Sequence, residues 1–346
     1  MATRVTIDDV AALAKVSIKT VSRVLNDEPN VRPATRQAVR DAIERLDFRP
    51  SRIARSLASK RTFIIGLFYD NPCSHYVSNI QAGALKACDR HGYDLSVHPK
   101  PYQGAATADG IVELHRQARF DGVILTPPLA DIPALIAVLR ASKVPGVLVS
   151  PVDRSFGFPT VGTNDRIAAE EMTKKLIGLG HTKIAFVTGH PDHKAVGLRR
   201  EGYINAMRSA QLDVPNEYVV QGMNSFDSGE TAGVSLLQLR VPPTAIFCAN
   251  DEMAVGVLKI ANTLGIRVPK DLSIAGFDNI PLATQVWPPL TTIKQPVAEM
   301  GERAAEILIR RIEDRGPPSD IEHVTIKSEV VLRQSTAARQ KIHERP

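Results

Sequence analysis

Little in this sequence supports a disulfide scaffold, a metal centre or a membrane anchor. The three cysteines, Cys73, Cys88 and Cys248, lie far apart and form no C-x-x-C pair. They encode neither a cystine framework nor a zinc site and fit a reducing compartment. No apolar run approaches the roughly 20 residues that a membrane-spanning helix needs, and the opening stretch MATRVTIDDV lacks the hydrophobic segment of a secretory signal. A cytoplasmic protein with no membrane contact is expected. Catalytic signatures are missing too: there is no G-x-x-x-x-G-K-[ST] loop, no G-x-G-x-x-G after a strand, no G-x-S-x-G elbow and no H-E-x-x-H. His190 and His193, in GHPDHKA, stand in a proline-containing loop with no third ligand in view, which reads as a loop contact. No catalytic residue, metal or cofactor is therefore expected.

What is present is an uneven distribution of charge. The net charge of +6 arises entirely in residues 1–61, which hold 13 Lys/Arg against 7 Asp/Glu, whereas the remaining 285 residues hold 30 of each. A basic head that meets a polyanion, joined to a neutral body with another task, follows from that split. At 346 residues, 43% hydrophobic and 23% charged, the chain has the composition of a globular protein with a sizeable core and more than one domain.

The head reads as three short helices. Thr6 and Asp9 have the spacing of a capping box and open an apolar pattern of Ile7, Val10, Ala11 and Ala14. After a break at Lys15 and Val16, Ser17 caps a second helix whose Val21, Val24 and Leu25 face the first, giving a helix-turn-helix. Pro33 suits the first turn of a third helix, with Ala38, Val39, Ala42, Ile43 and Leu46 as its inner face. Lys19 and Arg23, one turn apart, occupy the opposite face of the second helix. There an Arg can bond bidentately to guanine O6 and N7 in the major groove. Ile18, Lys19 and Arg23 are the candidate base contacts, and the short hydroxyls of Ser17, Thr20 and Ser22 suit phosphate positioning. Thr6 and Asn26 complete the candidate set.

RPSRIARSLASKR, Arg49 to Arg61, carries five cations and no acid, with Ile53, Ala54, Leu57 and Ala58 at helical spacing. A segment this short is not a stable helix alone in water. It is expected to fold only against a second copy of itself and DNA, with an apolar wedge between base pairs offset by contacts on the bent duplex. Arg52, Ala54, Arg55, Leu57 and Lys60 join the DNA-binding candidates.

From Phe63 onward, strand-like runs alternate with amphipathic stretches: FIIGLF, YDLSVH, DGVILT and VPGVLVS, then KIAFVTG, TAIFCAN and LSIAGF. Such alternation predicts parallel sheets covered by helices, in two series that divide near Pro159 to Asn164. Ligands in open α/β sheets bind at the carboxyl ends of strands. Asp70, Tyr76, His193, Arg199, Asn250 and Asp278 all lie just past such ends. Carboxylate, guanidinium and amide groups bond neighbouring sugar hydroxyls, so a sugar or glycoside is expected over a purine. The competing local roles are helix capping for Asn250 and Asp278, and pairing with Glu201 or Glu230 for Arg199.

VTIDDVAALAKVSIKTVSRVLN, VRPATRQAVRDAIERLDFRPSRIARSLASK and GFDNIPLA…PPLTTIKQP resemble the lac-repressor (LacI) family of bacterial transcription regulators over about residues 4–334. The resemblance implies a helix-turn-helix head over 1–49 and a hinge helix over 50–61. It further implies a two-lobed α/β body, similar to periplasmic sugar-binding proteins, over 62–338, and a flexible tail over 339–346. The first lobe would comprise 62–161 plus 293–322 and the second 162–290 plus 323–338, with LTTIKQP and the stretch near Glu322 as the second and third crossovers. Leu57 would be the minor-groove lever of the hinge. Tyr76, His193, Arg199, Phe226, Asn250 and Asp278 would be the effector positions, with core packing as the other reading of Phe226. Partners implied are a pseudo-palindromic operator, a sugar-like effector and a second copy of the chain; the short polar end STAARQKIHERP favours a dimer. Three departures stand out: Lys15 where the family usually has glycine, the Asn-Asp order in VGTNDRIAA, and Ser150 where some sugar-responsive members carry an aspartate. The alternative reading is a cytosolic binding protein or enzyme with an incidental basic head.

Overall fold

The computed structural model describes residues 5–25, 29–48, 61–70, 73–101, 105–314 and 320–339. It separates into two compact units, Met1–Phe63 and Ile64–Pro346. The first contains α1 (Ile7–Leu13), α2 (Ile18–Leu25) and α3 (Pro33–Arg45). At the start of α1, the Asp9 carboxylate accepts the Thr6 N–H and the Thr6 hydroxyl, each at 2.8 Å. Both bonds favour the charged form and hold the Asp9 carboxyl below its usual range. Lys15 takes the left-handed conformation, φ 53°, while the Val16 N–H closes on the Ala11 carbonyl at 3.0 Å. The lysine thus does in the turn what a glycine does with less strain.

Val10, Ala11, Val21, Val24, Val39, Ala42 and Phe48 form the buried centre of this unit. Ala38 is exposed rather than part of the inner face of α3. It stands at the margin of the stripe formed by Val39, Ala42, Ile43 and Leu46, about a quarter turn off its axis.

The larger unit holds two parallel sheets. The first has the strand order β2 (Asp94–Pro99), β1 (Ile64–Tyr69), β3 (Gly122–Leu125), β4 (Gly146–Val149), β5 (Thr160–Thr163) and β11 (His323–Ile326). The second runs β7 (Val219–Val220), β6 (Ile184–Val187), β8 (Ala245–Cys248) and β9 (Ser273–Ala275). A two-stranded antiparallel ribbon, β10 (Thr292–Lys294) with β12 (Glu329–Val331), lies between them in the chain's passage.

The expected lobe boundaries need one correction. His323–Ile326 pairs with β5 in the first sheet, so the chain leaves that lobe after Ile326 and not at Glu322. HVTI alternates exposed and half-buried residues, a pattern too short to declare which sheet it edges. Beyond it, the Ser335 carbonyl accepts the N–H of Ile274 of the second lobe at 2.9 Å, and the Ser335 hydroxyl donates to the Ile274 carbonyl at 2.6 Å.

Helices cover both sheets: α4 (Ser74–His91), α5 (Ala105–Ala118), α6 (Pro133–Ala141) and α12 (Val297–Glu313) the first, and α7 (Asp165–Gly178), α8 (Ala195–Ser209), α9 (Phe226–Leu237) and α10 (Asp251–Thr263) the second. A short helix, α11 (Leu282–Gln285), precedes β10. Two close crossings set the positions of site residues. A Cβ on Gly83 would lie 1.8 Å from the Ala298 carbonyl oxygen, so only glycine lets α4 meet α12 this tightly. A Cβ on Gly202 would lie 2.1 Å from the Arg166 carbonyl oxygen, which lets α8 and α7 approach and brings Arg199 beside Asp165.

Candidate nucleic-acid interface and ligand cleft

In the helical unit, α2 buries Val21 and Val24 and leaves Ser17, Ile18, Lys19 and Arg23 exposed, with Thr20 and Ser22 half-buried. Ile18 is 47% exposed, an apolar side chain with no place in the small core. The Ser17 hydroxyl accepts the Thr20 N–H at 3.2 Å and lies 2.9 Å from the Thr20 hydroxyl. Ser17 and Thr6 therefore serve as helix caps, a role compatible with phosphate contact because each keeps an exposed edge. Asn26, Arg52, Ala54, Arg55, Leu57 and Lys60 lie outside the described residues.

In the body, a cavity opens at the carboxyl ends of the parallel strands, the position such sheets favour for ligands. Cys73, Tyr76, Pro127 and Ser150 line it from the first lobe, Asp165, His193, Arg199, Asn224, Asn250 and Asp278 from the second, and Gln295 from the passage between.

Arg199 is the centre of this site. Its Nε donates to Asp165 at 2.8 Å, its Nη1 donates to the Ala249 carbonyl at 2.5 Å, and its guanidinium lies 3.7 Å over the Phe277 ring. Asp278 stands 3.6 Å from Nη1 and accepts from the Gln295 amide at 2.5 Å. Burial pushes the Asp278 carboxyl up to about 6 despite the nearby guanidinium. The Asp278 backbone has φ 116° and Asn279 φ 57°, conformations costly for residues with a side chain. The buried Asp251 holds that loop by accepting the Ile280 N–H at 2.9 Å and the Thr292 hydroxyl at 2.5 Å.

The remaining groups are neutral. Burial drives His193 down to about 4, so its imidazole carries no charge near neutral pH. The Cys73 thiol is raised to about 12 by burial and by Asp278, which keeps it protonated and a poor nucleophile. The Tyr76 hydroxyl is buried without a completed hydrogen bond, although Ser150 stands close by. Asn250 caps α10, accepting the Met253 N–H at 2.9 Å, and donates to the Asn224 carbonyl at 2.9 Å. Its capping role holds, yet it still faces the cavity.

Two expected effector residues do not line this cavity. Phe226 begins α9 and packs, half-buried, against the second-lobe core with the Lys259 ammonium 5.4 Å from its ring. Asp70 is not among the lining residues, although its charge acts on His193. Arg199 pairs with neither Glu201 nor Glu230; Glu230 bonds Lys259 at 2.5 Å. Sequence reasoning passed over Asn224, Gln295 and Cys73, and noticed Asp165 and Ser150 only as departures. Asp165 had a readable signal, as the second residue past β5. Asn224 and Gln295 had none, since neither follows an apolar run. The Asn164 amide oxygen accepts the Ser328 N–H at 2.7 Å, so the inverted Asn-Asp order ties a crossover with its amide and frees the carboxylate for Arg199. Among the described residues no cluster of three or more His, Cys, Asp or Glu can hold a metal ion, and no helix is long and apolar enough to cross a membrane.

Residues 6–51 match the description "Bacterial regulatory proteins, lacI family", and residues 173–336 match a periplasmic binding protein-like domain. Catabolite control protein A of Priestia megaterium is 34% identical over 96% of this chain and 99% of its own length. The ribose operon repressor of Escherichia coli (strain K12) is 36% identical over 89% of this chain and 93% of its own. The crystal structure of the lac repressor dimer bound to operator and the anti-inducer ONPF superposes with a TM-score of 0.79 at 28% identity, covering 97% of this chain and all of that one.

Proposed function

The chain belongs to the lacI family of bacterial regulatory proteins and is a transcriptional repressor of that type, and we propose that it binds a pseudo-palindromic operator as a homodimer under control of a sugar-like effector held in the interlobe cleft. A twofold site and a twofold protein match each other, and the reading places the repressor in the cytoplasm with the DNA. The observation that carries it is the pairing of an exposed cationic face on α2 with a separate cleft whose guanidinium, carboxylates and amides suit hydroxyl groups. The five cations and apolar stripe of residues 49–61 support a DNA-ordered hinge linking the two. Effector binding then shifts the balance between DNA-competent and DNA-released states, with reciprocal effect of DNA on effector affinity.

Operator binding tests the first half. Arg23→Ala is expected to cost about 1–3 kcal/mol and to relax preference at one base pair per half-site, as for loss of a bidentate guanine contact. Selection from a randomised site is the measurement. Unchanged affinity and base preference would move DNA reading to another face.

The cleft gives a pH test. An ionised Asp278 accepts hydrogen bonds from ligand hydroxyls, and a protonated one does not. Because its carboxyl sits at about 6 in the free protein, effector affinity is expected to be flat above pH 7 and to fall about tenfold between pH 7.5 and 5. The groups facing Asp278 are Arg199, Gln295, Asp165, Glu252, Asp251, Tyr76 and Cys73. His193, at about 4, does not titrate in that window. Calorimetry with wild type and Asp278→Asn separates the cases: the variant should bind more weakly with a flat profile.

A further inference from the structure

We propose that Lys194 is a strap across the rim of the cleft: as the lobes close, its ammonium passes from the backbone carbonyl of Asp131 to that residue's buried carboxylate, and the ion pair sets how far the protein is closed before any ligand enters. The inference goes beyond the proposed function, because it concerns the lobes themselves and holds whatever the cleft binds.

Position carries the first step. The chain passes between the lobes near Asn164, at Gln295 and after Ile326, and rotation about such crossings opens or shuts a cleft. Lys194 lies away from all three, between His193 and Ala195, which both line the cleft from the second lobe. Asp131 belongs to the first lobe, in a 3-10 turn (Leu129–Asp131) that follows β3. The Lys194 ammonium donates to the Asp131 carbonyl at 3.3 Å. An exposed side chain of one lobe thus reaches a backbone group of the other.

Unfinished bonding carries the second step. Asp131 is 2% exposed; its Oδ1 accepts the Val152 N–H at 2.8 Å, whereas Oδ2 is buried with no hydrogen-bond partner. An unpaired buried carboxylate oxygen is costly, and burial pushes this carboxyl up while the charge of Lys194 draws it back down. The ammonium has two further donors, and its bond to the carbonyl is longer than the about 2.7–2.9 Å of a charged pair. Donor and acceptor therefore stand side by side without their stronger contact. A small closing movement supplies it. The Asp153 carboxylate, also within the influence of Lys194, adds to the attraction of this rim for the ammonium.

A second crossing shows that the strap would act on whole lobes. Glu252, in the first turn of α10, accepts from the Cys73 thiol and lies close to His75 at the start of α4. The second lobe thus meets the first through a cation at one place on the rim and an anion at another. Rigid lobes that turn about shared crossings loosen both contacts together.

The test is hydrogen exchange read by mass spectrometry on the full chain with no ligand added, comparing wild type, Lys194→Met, Lys194→Gln and Lys194→Arg. In the Met and Gln variants, amides of 126–132 and 150–153 beside Asp131 and of 73–77 at the second crossing are expected to exchange about three- to tenfold faster, as for loss of a partly exposed ion pair. Strand β6, 184–187, should keep its wild-type rate, and Lys194→Arg should keep most of the protection. Raising NaCl to about 1 M should move the wild type toward Lys194→Met and leave that variant unchanged, because salt screens an exposed ammonium. Faster exchange confined to 126–132 and 150–153 would reduce Lys194 to a local contact and overturn the strap. Unchanged exchange at all three segments, or equal loss in Lys194→Arg, would overturn it as well.

Discussion

Phe48→Ala is expected to abolish operator binding while leaving the ligand-binding body folded and able to hold its effector. The helical unit is centred on seven buried apolar side chains, of which Phe48 is the only aromatic one and is 8% exposed. It follows α3, and its N–H closes on the Ile43 carbonyl at 3.0 Å, so the ring seals the bottom of the three-helix core. Truncating a buried Phe costs about 3–5 kcal/mol. A domain of this size has only roughly 3–9 kcal/mol in total at about 0.05–0.15 kcal/mol per residue. Most of the head's stability would therefore be lost. The body has its own two-lobed core and forms a separate compact unit, so its transition should not move. Calorimetry of the two transitions with a gel-shift assay gives the answer. A variant that retains full operator affinity would show that the core is held by α1 to α3 alone.

Periodicity made the framework legible. The strand-like runs at FIIGLF, DGVILT, KIAFVTG and TAIFCAN correspond to β1, β3, β6 and β8 because a strand buried on both faces must be continuously apolar. Caps at Thr6 and Ser17 were legible for a similar reason, since short polar side chains at helix starts have one dominant use. The cleft was legible only where a functional side chain follows such a run, as Tyr76, His193, Arg199, Asn250 and Asp278 do. Asn224 and Gln295 reach the cavity through loop conformation and a lobe crossing, φ 60° for Asn224, and no local pattern encodes either. Phe226 failed for the converse reason: an aromatic at a helix start reads the same whether it faces ligand or core, and here it packs beneath Lys259. The β11 strand was placed in the wrong lobe because its four residues carry no pairing signal.

Arg199→Ala is expected to eliminate the effector response and to destabilise the body by about 3–5 kcal/mol near pH 8, the range for breaking a buried ion pair by removing one partner. Arg199 is 9% exposed, and its loss would leave Asp165, 3% exposed, and Asp278 facing each other with no cation between them. Two carboxylates in that position relieve the conflict by taking up protons. The sign follows from linkage. In the variant, the folded state binds protons more tightly than the unfolded chain does, so its stability rises as pH falls and is lost as pH rises. The deficit against wild type should therefore be largest above pH 7 and shrink markedly by pH 5.5. Arg199→Lys should recover part of the stability, because it restores a cation. It should not recover the effector response, because an ammonium cannot bond Asp165 and the Ala249 carbonyl from one plane while lying over Phe277. Urea unfolding of the three proteins at pH 5.5 and 8, paired with calorimetry of effector binding, checks both halves. Equal deficits at the two pH values would mean that Asp165 and Asp278 are already solvated separately, and the cleft would then lose the charged centre on which its ligand chemistry depends.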